Sequence, residues 1–494
     1  MIRVLQVRLK VFSERLYLGV LSVGNFSRKR LLLLFSIGLV VRMVGMFGLG
    51  DGDMEHFKAW TILTHTYGVE RMYSASDAEL IARARERHQS TEDSFNSLRT
   101  RVTIQPLDFD RTEYTVAYPP GSVYLLHLSG MAYKVISPEM HNSRLFNAFI
   151  NFPMLIVSIA ITWLIFVFIR RENPKLAVAA ALFYWLNPIV LMDSTIQGYN
   201  NPLIALVNLL VLICLYRRSY LAAVCLTSLG LLIKPQAILL IPIVAIVCLR
   251  ETKVRKWPVY LVSAVAVALV FLLPFLMSGY LISSLFGATF ALRSLEQVLS
   301  PRSWNLWWPL HVVTYNLFGV EMVRLPNFTE RFGVDPKIIG SVAMMLVCGA
   351  SLVQLYRKLA EQRLYLFFCM VMFGYAYTMV QVNVQYNQFF VFIPMLLLIA
   401  LVNQRLFAMT IVLSIPWLIQ LFTYGGLGRD FCCPSLAFGW LGLSKVFTGA
   451  TLLVALVNAL LWLLFSWYYF SGWFVAPGNL LWDRSQDSQR PGVG

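Results

Sequence analysis

The sequence predicts an all-α integral membrane protein. Of the 494 residues, 58% are hydrophobic and only 13% are charged, whereas a soluble protein carries about 25% charged residues. Apolar runs of the length that crosses a bilayer, about 20 residues, recur along the whole chain. These runs are continuous, as in LLLLFSIGLVV and LIALVNLLVLICLY, which favours membrane helices over the alternating strands of a barrel.

We place about twelve transmembrane helices along the chain. They are expected near residues 31–49, 144–169, 175–193, 199–216, 219–233, 235–249, 257–277, 338–356, 364–380, 388–402, 405–424 and 444–470. The run Arg28-Lys29-Arg30 before the first span places the N-terminus in the cytoplasm, because short cytoplasmic loops collect Lys and Arg. Counting spans onward puts the later basic groups inside as well. These are Arg170-Arg171, Arg217-Arg218, Arg250 to Lys256, Arg357-Lys358 and Arg405.

Two long segments, residues 50–143 and 278–337, fall on the outer side. The stretch 123–135 is apolar enough to span, but counting it as a span would move the later basic loops outside. We therefore expect an amphipathic helix on the outer surface there, and further surface helices in the second segment. The chain is then one polytopic unit over residues 1–480 with a short polar tail at 481–494.

The composition also limits the partners. The net charge of +16 is explained by the basic cytoplasmic loops, and no basic patch interleaved with exposed aromatics indicates nucleic-acid binding. The seven cysteines show no metal-ligand spacing, so they predict no metal centre. Membrane lipids are the expected surroundings.

Six polar clusters fall on the predicted outer side, which indicates a binding or reaction site there. They are 50–60, 117–122, 193–201, 234–236, 301–308 and 381–388. The cluster at 234–236 separates two short spans, so it forms the tip of a hairpin. Because interrupted helices are tolerated only inside protein or beside a cavity, we expect Lys234 to face a cavity rather than lipid.

The first cluster holds three acids, Asp51, Asp53 and Glu55, where the first span ends. Partial desolvation at such a boundary suits a carboxylate to general-base work. The alternatives are surface acids or oxygen ligands of a divalent cation, Mg²⁺ or Mn²⁺.

Two other clusters allow a structural and a functional interpretation. The Pro-Pro pair after Tyr118 can simply break the chain between helices. Gln197, Asn200 and Asn201 could bond sugar hydroxyls, or they could cap the helix that begins near Pro202, since Asn is a favoured N-cap.

In this order the motifs resemble the GT-C superfamily of membrane glycosyltransferases, which use sugars carried on polyprenyl or dolichyl phosphate. The resembling features span residues 50 to about 390. They are Asp53 with Trp60 seven residues on, Tyr118-Pro119-Pro120-Gly121, Asn187-Pro188, Gln197-Gly198, Lys234-Pro235-Gln236 and Asn305-Leu306-Trp307. The resemblance implies a GT-C-like fold and an inverting transfer of the sugar to a glycan or lipid acceptor.

The resemblance also implies roles for residues. Asp53 matches the catalytic base of the family, Asp51 is its rival, and Glu55 would help to position the acceptor. A phosphate leaving group needs its charge balanced by Lys or Arg. The candidates for this donor-phosphate role are Lys234, Gln236, Arg302, Arg144 and Arg42, the last reaching up from within the first span. The candidates for sugar or acceptor contacts are Tyr118, Gln197, Asn200, Asn201, Trp60, Asn305, Trp307, Asn383 and Gln385.

One departure from the family concerns phosphate binding. Many members carry a His-Glu-Arg-Tyr-like segment before a late span, and here Asn383 and Gln385 stand where its charged residues would be. Either the phosphate is held elsewhere, or this branch uses a different donor.

A transporter or flippase for lipid-linked sugars is the alternative function. The interrupted hairpin fits it, but the sequence shows no matching interruption in a second half. We expect the site to face the outside of a bacterial plasma membrane, with the lumenal side of the endoplasmic reticulum as the alternative.

Overall fold

The described part of the chain is helical. The computed structural model describes residues 15, 17–48, 50, 52–73, 116, 118–171, 173–282, 284–285, 298–300, 303–385, 387–401, 404–424 and 445–471. Within these residues there is no β-strand, and the single extended pairing is an isolated bridge between Val298 and Arg324. The predicted all-α class is confirmed.

The helices are labelled in chain order. They are α1 (Arg28–Gly45), α2 (Gly52–Tyr67), α3 (Pro120–Ile136), α4 (Arg144–Ile169), α5 (Pro174–Trp185), α6 (Pro188–Ile196), α7 (Asn201–Tyr216), α8 (Tyr220–Ile233), α9 (Leu240–Glu251), α10 (Trp257–Met277), α11 (Trp308–Phe318), α12 (Leu325–Phe332), α13 (Pro336–Lys358), α14 (Tyr365–Val380), α15 (Ile393–Ala400), α16 (Gln404–Tyr424) and α17 (Lys445–Phe470).

Every predicted span lies on a helix or on a pair of helices. Among the described residues, four helices are long and apolar enough to cross a membrane, namely α4, α10, α13 and α17. A fifth crossing results if α5 and α6, which meet at a bend of 47°, are counted as one span. Other apolar helices are shorter, and the 16 residues of α7 measure about 24 Å against about 30 Å of hydrocarbon. The number of crossings therefore stays a prediction.

The apolar surface is distributed as a lipid solvent requires. In α10, Leu261, Val262 and Val270 are 67%, 67% and 72% exposed, although the helix has a mean hydropathy of 2.6. In α14, by contrast, nearly every side chain is buried, and this helix packs against α13, α15 and α17. Large exposed apolar faces of this kind mark contact with lipid or protein rather than water.

The bend between α5 and α6 has a local cause. Pro188 cannot continue a helix because it lacks the backbone N–H, and the Oδ1 atom of Asn187 accepts a hydrogen bond from the Ile189 amide at 3.0 Å. This capping starts α6 in a new direction. The last turn of α6, Met192–Ile196, is a π-helix, a form that is frequent at functional sites.

The predicted outer segments contain helices of their own. The helix expected over 123–135 is observed as α3, which packs against α2 and α4. Between α2 and α3 the rings of His65 and His127 stack at 4.3 Å. Burial lowers the pKa of both imidazoles, so this helix contact is uncharged at neutral pH. In the second segment, α11 and α12 are the observed helices.

An ion pair between Arg363 and Glu251, called the Glu251 tie below, links several helices at the predicted cytoplasmic end. The guanidinium of Arg363 donates to both carboxylate oxygens of Glu251, at 2.6 and 2.9 Å, and to the Tyr216 carbonyl at 2.9 Å. Tyr220 donates to the same carboxylate at 2.7 Å. Burial would raise the pKa of Glu251, but the hydrogen bonds from Arg363 and Tyr220 outweigh it and hold that pKa below its usual range. The tie joins the ends of α7 and α9 to the start of α8 and to the loop before α14.

Replacing Arg363 with Met should destabilise the protein by about 1–3 kcal/mol, because it leaves a half-buried carboxylate without its partner. The control is Lys358→Met, which removes an exposed ion pair with Glu361 and should cost about 0.5 kcal/mol or less. Thermal unfolding in detergent measures both, and equal losses in the two variants would contradict a stabilising role of the Glu251 tie.

Candidate functional site

A buried lysine lies at the centre of the polar residues on the predicted outer side. Lys234 stands between α8 and the 3₁₀ turn Pro235–Leu239 and is only 5% exposed. Its Nζ donates to the Oδ1 atom of Asn200 at 3.0 Å and to that of Asn201. The ammonium also lies over the ring of Tyr118, 5.2 Å from the centroid. Lys234 is thus buried among protein side chains, and the cavity that it is expected to face stays a prediction.

Asn201 connects the lysine to a buried carboxylate. Its Nδ2 atom donates to Asp193 Oδ1 at 3.1 Å and to the carbonyl of Asn387 at 3.1 Å. Both hydrogens of the amide are used in this way, so the amide oxygen must face Lys234. The alternative role of Asn200 and Asn201 as helix caps is not observed, because Asn200 occupies the N-cap position of α7 without a side-chain hydrogen bond to the helix.

A second chain of hydrogen bonds runs from the lysine to α3. Asn200 Nδ2 donates to the hydroxyl of Ser122 at 3.2 Å, and that hydroxyl donates to the Ile233 carbonyl at 2.7 Å. Pro119 and Pro120 act structurally, since they form the N-cap and first residue of α3. The same prolines follow Tyr118, whose ring lies under the lysine. The structural interpretation of this motif is therefore observed, and its contact with a sugar or acceptor stays a prediction.

The segment that carries the predicted acids begins beside this network. Asn147 Nδ2 donates to the Gly48 carbonyl at 2.7 Å, and a Cβ on Gly50 would lie 3.2 Å from the Gln197 carbonyl. Asp53 and Glu55 occupy the first turn of α2, where the helix dipole favours negative charge. Their side chains lie outside the described part of the structure, as do the whole of Asp51 and of Arg302.

Gln197 and Gly198 hold the loop between α6 and α7. Gln197 is fully buried, and its Nε2 atom donates to the Leu421 carbonyl in α16 at 3.0 Å. Gly198 has φ = +78°. A Cβ there would lie 2.4 Å from Met54 Cε and 2.7 Å from Asn151 Oδ1, so a glycine is required both by conformation and by space.

Gln236 follows Lys234 by two residues, and Asn383 and Gln385 lie in the turn after α14. Gln236 lies beside the hydroxyl of Tyr377, which donates to Gln388 at 2.6 Å. Asn383 and Gln385 are half-buried, and Asn383 adopts φ = +59°. The turn after α14 is followed by Asn387, whose carbonyl accepts a hydrogen bond from Asn201.

Three other candidates for sugar or acceptor contacts, namely Asn305, Trp307 and Trp60, have their polar or aromatic groups in contact with other parts of the protein. Asn305 Oδ1 accepts from the amide of Trp307 at 3.0 Å, and Asn305 Nδ2 donates to the Gln381 carbonyl at 3.1 Å. The Trp307 indole donates to the Val380 carbonyl at 2.7 Å. These two residues thus anchor the second outer segment to the end of α14. Trp60 is buried and meets Tyr118 edge-on at 5.6 Å.

The two described arginine candidates lie in α4 and α1. Arg144 is half-buried at the start of α4. Arg42 is fully buried, with its guanidinium 3.8 Å from the ring centroid of Trp185. The expected reach of Arg42 toward the outer end of α1 is not observed. Its Nη1 atom donates to the Gly38 carbonyl, one turn toward the N-terminus, which is the direction that helical side chains favour.

The structure adds residues that sequence patterns did not single out. Asp193 and Ser122 are buried members of the network. Asn147 is buried where it holds the Gly48 carbonyl, and Lys58 of α2 is buried with its Nζ 2.9 Å from Asn142 Oδ1. The sequence placed Asp193 in a predicted outer loop. The burial of its side chain results from packing between helices that are distant in sequence. Among the described residues, no group of three or more His, Cys, Asp or Glu could hold a metal ion. The divalent-cation alternative rests on acids whose side chains are not described.

The chain matches no protein-family model and no curated protein.

Substituting Gly198 with Ala should destabilise the protein by about 1–3 kcal/mol, through the strained φ and the contacts with Met54 and Asn151. The matched control is Gly349→Ala in α13, where a Cβ meets nothing within 4 Å and should be neutral or slightly stabilising. Thermal unfolding in detergent measures both. If the unfolding temperature of Gly198→Ala equals that of the wild type, the loop is not held as described.

Proposed function

We propose that this protein is an inverting membrane glycosyltransferase. It moves a sugar from a polyprenyl- or dolichyl-phosphate-linked donor to an acceptor hydroxyl on the extracytoplasmic side. The observation that carries this proposal is the buried Lys234, held by two amide oxygens at the start of α7. The loop before α7 also carries Gln197, whose carbonyl lies against Gly50, the residue before the predicted acids. The order of motifs resembling the GT-C superfamily supplies the reaction class.

A single displacement accounts for the chemistry. A carboxylate, Asp53 or its rival Asp51, accepts the proton of the acceptor hydroxyl. The acceptor oxygen attacks the anomeric carbon as the bond from that carbon to the phosphate oxygen breaks, which inverts the configuration. The products are the new glycoside, the lipid phosphate and one proton on the carboxylate. One base suffices because the phosphate leaves as an anion.

Lys234 suits the stabilisation of that anion. Burying an ammonium group costs several kcal/mol unless it is paired, and ionisable groups at membrane depth are retained mainly for function. Its contacts with described neighbours include two neutral amide oxygens and an aromatic ring. Phosphate is a stronger partner than an amide, because a hydrogen bond between two ions is roughly twice as strong as a neutral one.

The surrounding fold suits a lipid-linked substrate. The hydrocarbon chain of the donor would stay in the bilayer while its phosphate reaches Lys234 at the hairpin tip. Asn200 and Tyr118 lie against the ammonium and are the side chains best placed to contact the donor's sugar. The acceptor, a glycan or a lipid, would approach from the outer side of a bacterial plasma membrane, or from the lumen of the endoplasmic reticulum.

A transporter for lipid-linked sugars is the second candidate. Helix interruptions at 186–188 and at 234–239 support it, since transporters bind substrate at broken helices. The placement of three acids directly after the first span favours chemistry at the membrane boundary instead.

Sugar transfer should require Asp53. Purified protein is given a panel of radiolabelled polyprenyl-phosphate sugars with a membrane-lipid extract, and transfer is compared among wild type, Asp53→Asn and Asp51→Asn. Loss of a general base should lower kcat by about 10²–10⁴-fold. Glu139→Gln, an exposed acid of the same outer segment, is the control and should transfer normally.

The outcomes distinguish the candidates. If Asp51→Asn is inactive and Asp53→Asn is active, the base is Asp51. If no sugar is consumed while labelled lipid changes leaflet in proteoliposomes, the protein is a transporter and the transferase proposal is wrong.

Replacing Lys234 with Met should weaken binding of the donor and of a polyprenyl monophosphate. The expected loss is about 10–100-fold, the equivalent of one charged hydrogen bond. Lys134→Met, which removes an exposed lysine of α3, serves as control. Equal affinities in wild type and Lys234→Met would place phosphate binding elsewhere.

A further inference from the structure

Asp193 has an unusual position for a carboxylate. Among the side chains that the structure describes, it is the one acidic residue that is buried, with an exposure of 0%. It lies in the π-helical end of α6, inside the bent pair of helices that can cross the membrane. A buried carboxylate costs several kcal/mol, so its retention calls for a partner.

The described hydrogen bond to this carboxylate comes from Asn201, which reaches Oδ1 at 3.1 Å. The Oδ2 atom is buried without a hydrogen-bond partner among the described residues. Lys234 is the opposite charge that acts on Asp193 electrostatically. The carboxylate and the ammonium therefore share one amide, which accepts from Lys234 on its oxygen and donates to Asp193 from its nitrogen.

The direction of that amide depends on both of its acceptors. Asn201 is fixed on its Nδ2 side by Asp193 and by the Asn387 carbonyl. Without the charge of the carboxylate, one of the two acceptors that hold the amide is weakened, because a hydrogen bond to an ionised acceptor is roughly twice as strong as a neutral one. The oxygen facing Lys234 would then be held less firmly, and the ammonium would lose the buried negative charge of Asp193 as well.

Other titratable groups near the pair come from four helices or segments. Tyr184 of α5 interacts electrostatically with Asp193 and with Arg42 of α1. Tyr118, before α3, lies under Lys234, and Tyr377 of α14 lies beside the neighbouring Gln236. Because tyrosine is neutral up to about pH 9, Asp193 is the described acid that can balance Lys234.

We propose that Asp193 is a positioning residue of the site, which acts through Asn201 to hold Lys234 charged and directed at the substrate phosphate. The proposal rests on the proposed function, because it assigns to Lys234 the binding of a lipid phosphate. Asp193 itself touches neither the substrate nor the base.

The consequence is a pH dependence that a purely structural role would not produce. A buried ammonium without its counter-charge gives up its proton more readily. A variant without the carboxylate should therefore bind phosphate normally at low pH and lose it as the pH rises. A variant that is merely misfolded or loosened would bind weakly at every pH.

The experiment measures binding of a fifteen-carbon polyprenyl monophosphate to the full-length protein in nanodiscs, by calorimetry from about pH 6 to about pH 9. Asp193→Asn removes the charge but keeps an acceptor for Asn201. Ser194→Ala, which removes a neighbouring buried hydroxyl of α6, is the matched control.

Wild type and Ser194→Ala should show parallel pH profiles. Asp193→Asn should match them within about twofold at about pH 6 and bind about tenfold or more weakly at about pH 9. Above the pKa of an amine, each further step of about one in pH leaves about tenfold less of the charged form that binds phosphate.

The possible outcomes distinguish a failure of this inference from a failure of the proposed function. An Asp193→Asn profile parallel to wild type overturns the role of Asp193 and leaves phosphate binding intact. A wild type that binds no lipid phosphate overturns the proposed function and this inference together. If Asp193→Asn fails to fold, Asp193→Ser tests the same charge, because it removes the carboxylate and keeps an oxygen acceptor. It should show the same loss toward high pH, and a parallel profile in that variant would equally overturn the inference.

Discussion

The burial of one ammonium group determines much of the arrangement on the predicted outer side. Lys234 cannot face lipid without a large cost in free energy, and a continuous helix would leave it no polar neighbours. The chain therefore breaks between α8 and α9, and the loop before α7 supplies two amide oxygens to the lysine. Asp193 then becomes the distant counter-charge, and its own burial is tolerable because the same amide serves both charges.

The scaffold around these residues follows from breaks in helices. Asn187 and Pro188 end α5 and restart the chain as α6, so that the π-helical turn with Asp193 packs against α4 and α7. Asn147 in α4 holds the Gly48 carbonyl, which fixes the start of the segment that leads to Asp53. The stretches 118–122, 193–201 and 234–236 thus meet around Lys234, and each lies where a helix begins, ends or changes direction.

The sequence predicted the helices well and the polar contacts less well. Continuous apolar runs located the helices because backbone hydrogen bonds in lipid leave few alternatives to a helix. The same logic predicted that Lys234 would face a cavity rather than lipid, and the structure shows it buried among protein side chains. It did not separate a capping asparagine from a lysine ligand, because Asn200 and Asn201 satisfy the local rules for both and only the packing of α8 beside α7 decides. Asp193 and Arg42 could not be placed for a related reason: their neighbours come from helices far away in sequence, and no local pattern encodes them.

The most direct test of the account is to locate the lipid phosphate on the protein. A polyprenyl phosphate with a photoreactive group next to the phosphate would be cross-linked to the full-length protein in nanodiscs and the labelled peptides identified by mass spectrometry. The account predicts cross-links to the peptides around 193–201 and 234–236, and their loss when unlabelled polyprenyl phosphate competes. Labelling confined to the basic cytoplasmic loops, such as 250–256, would contradict it.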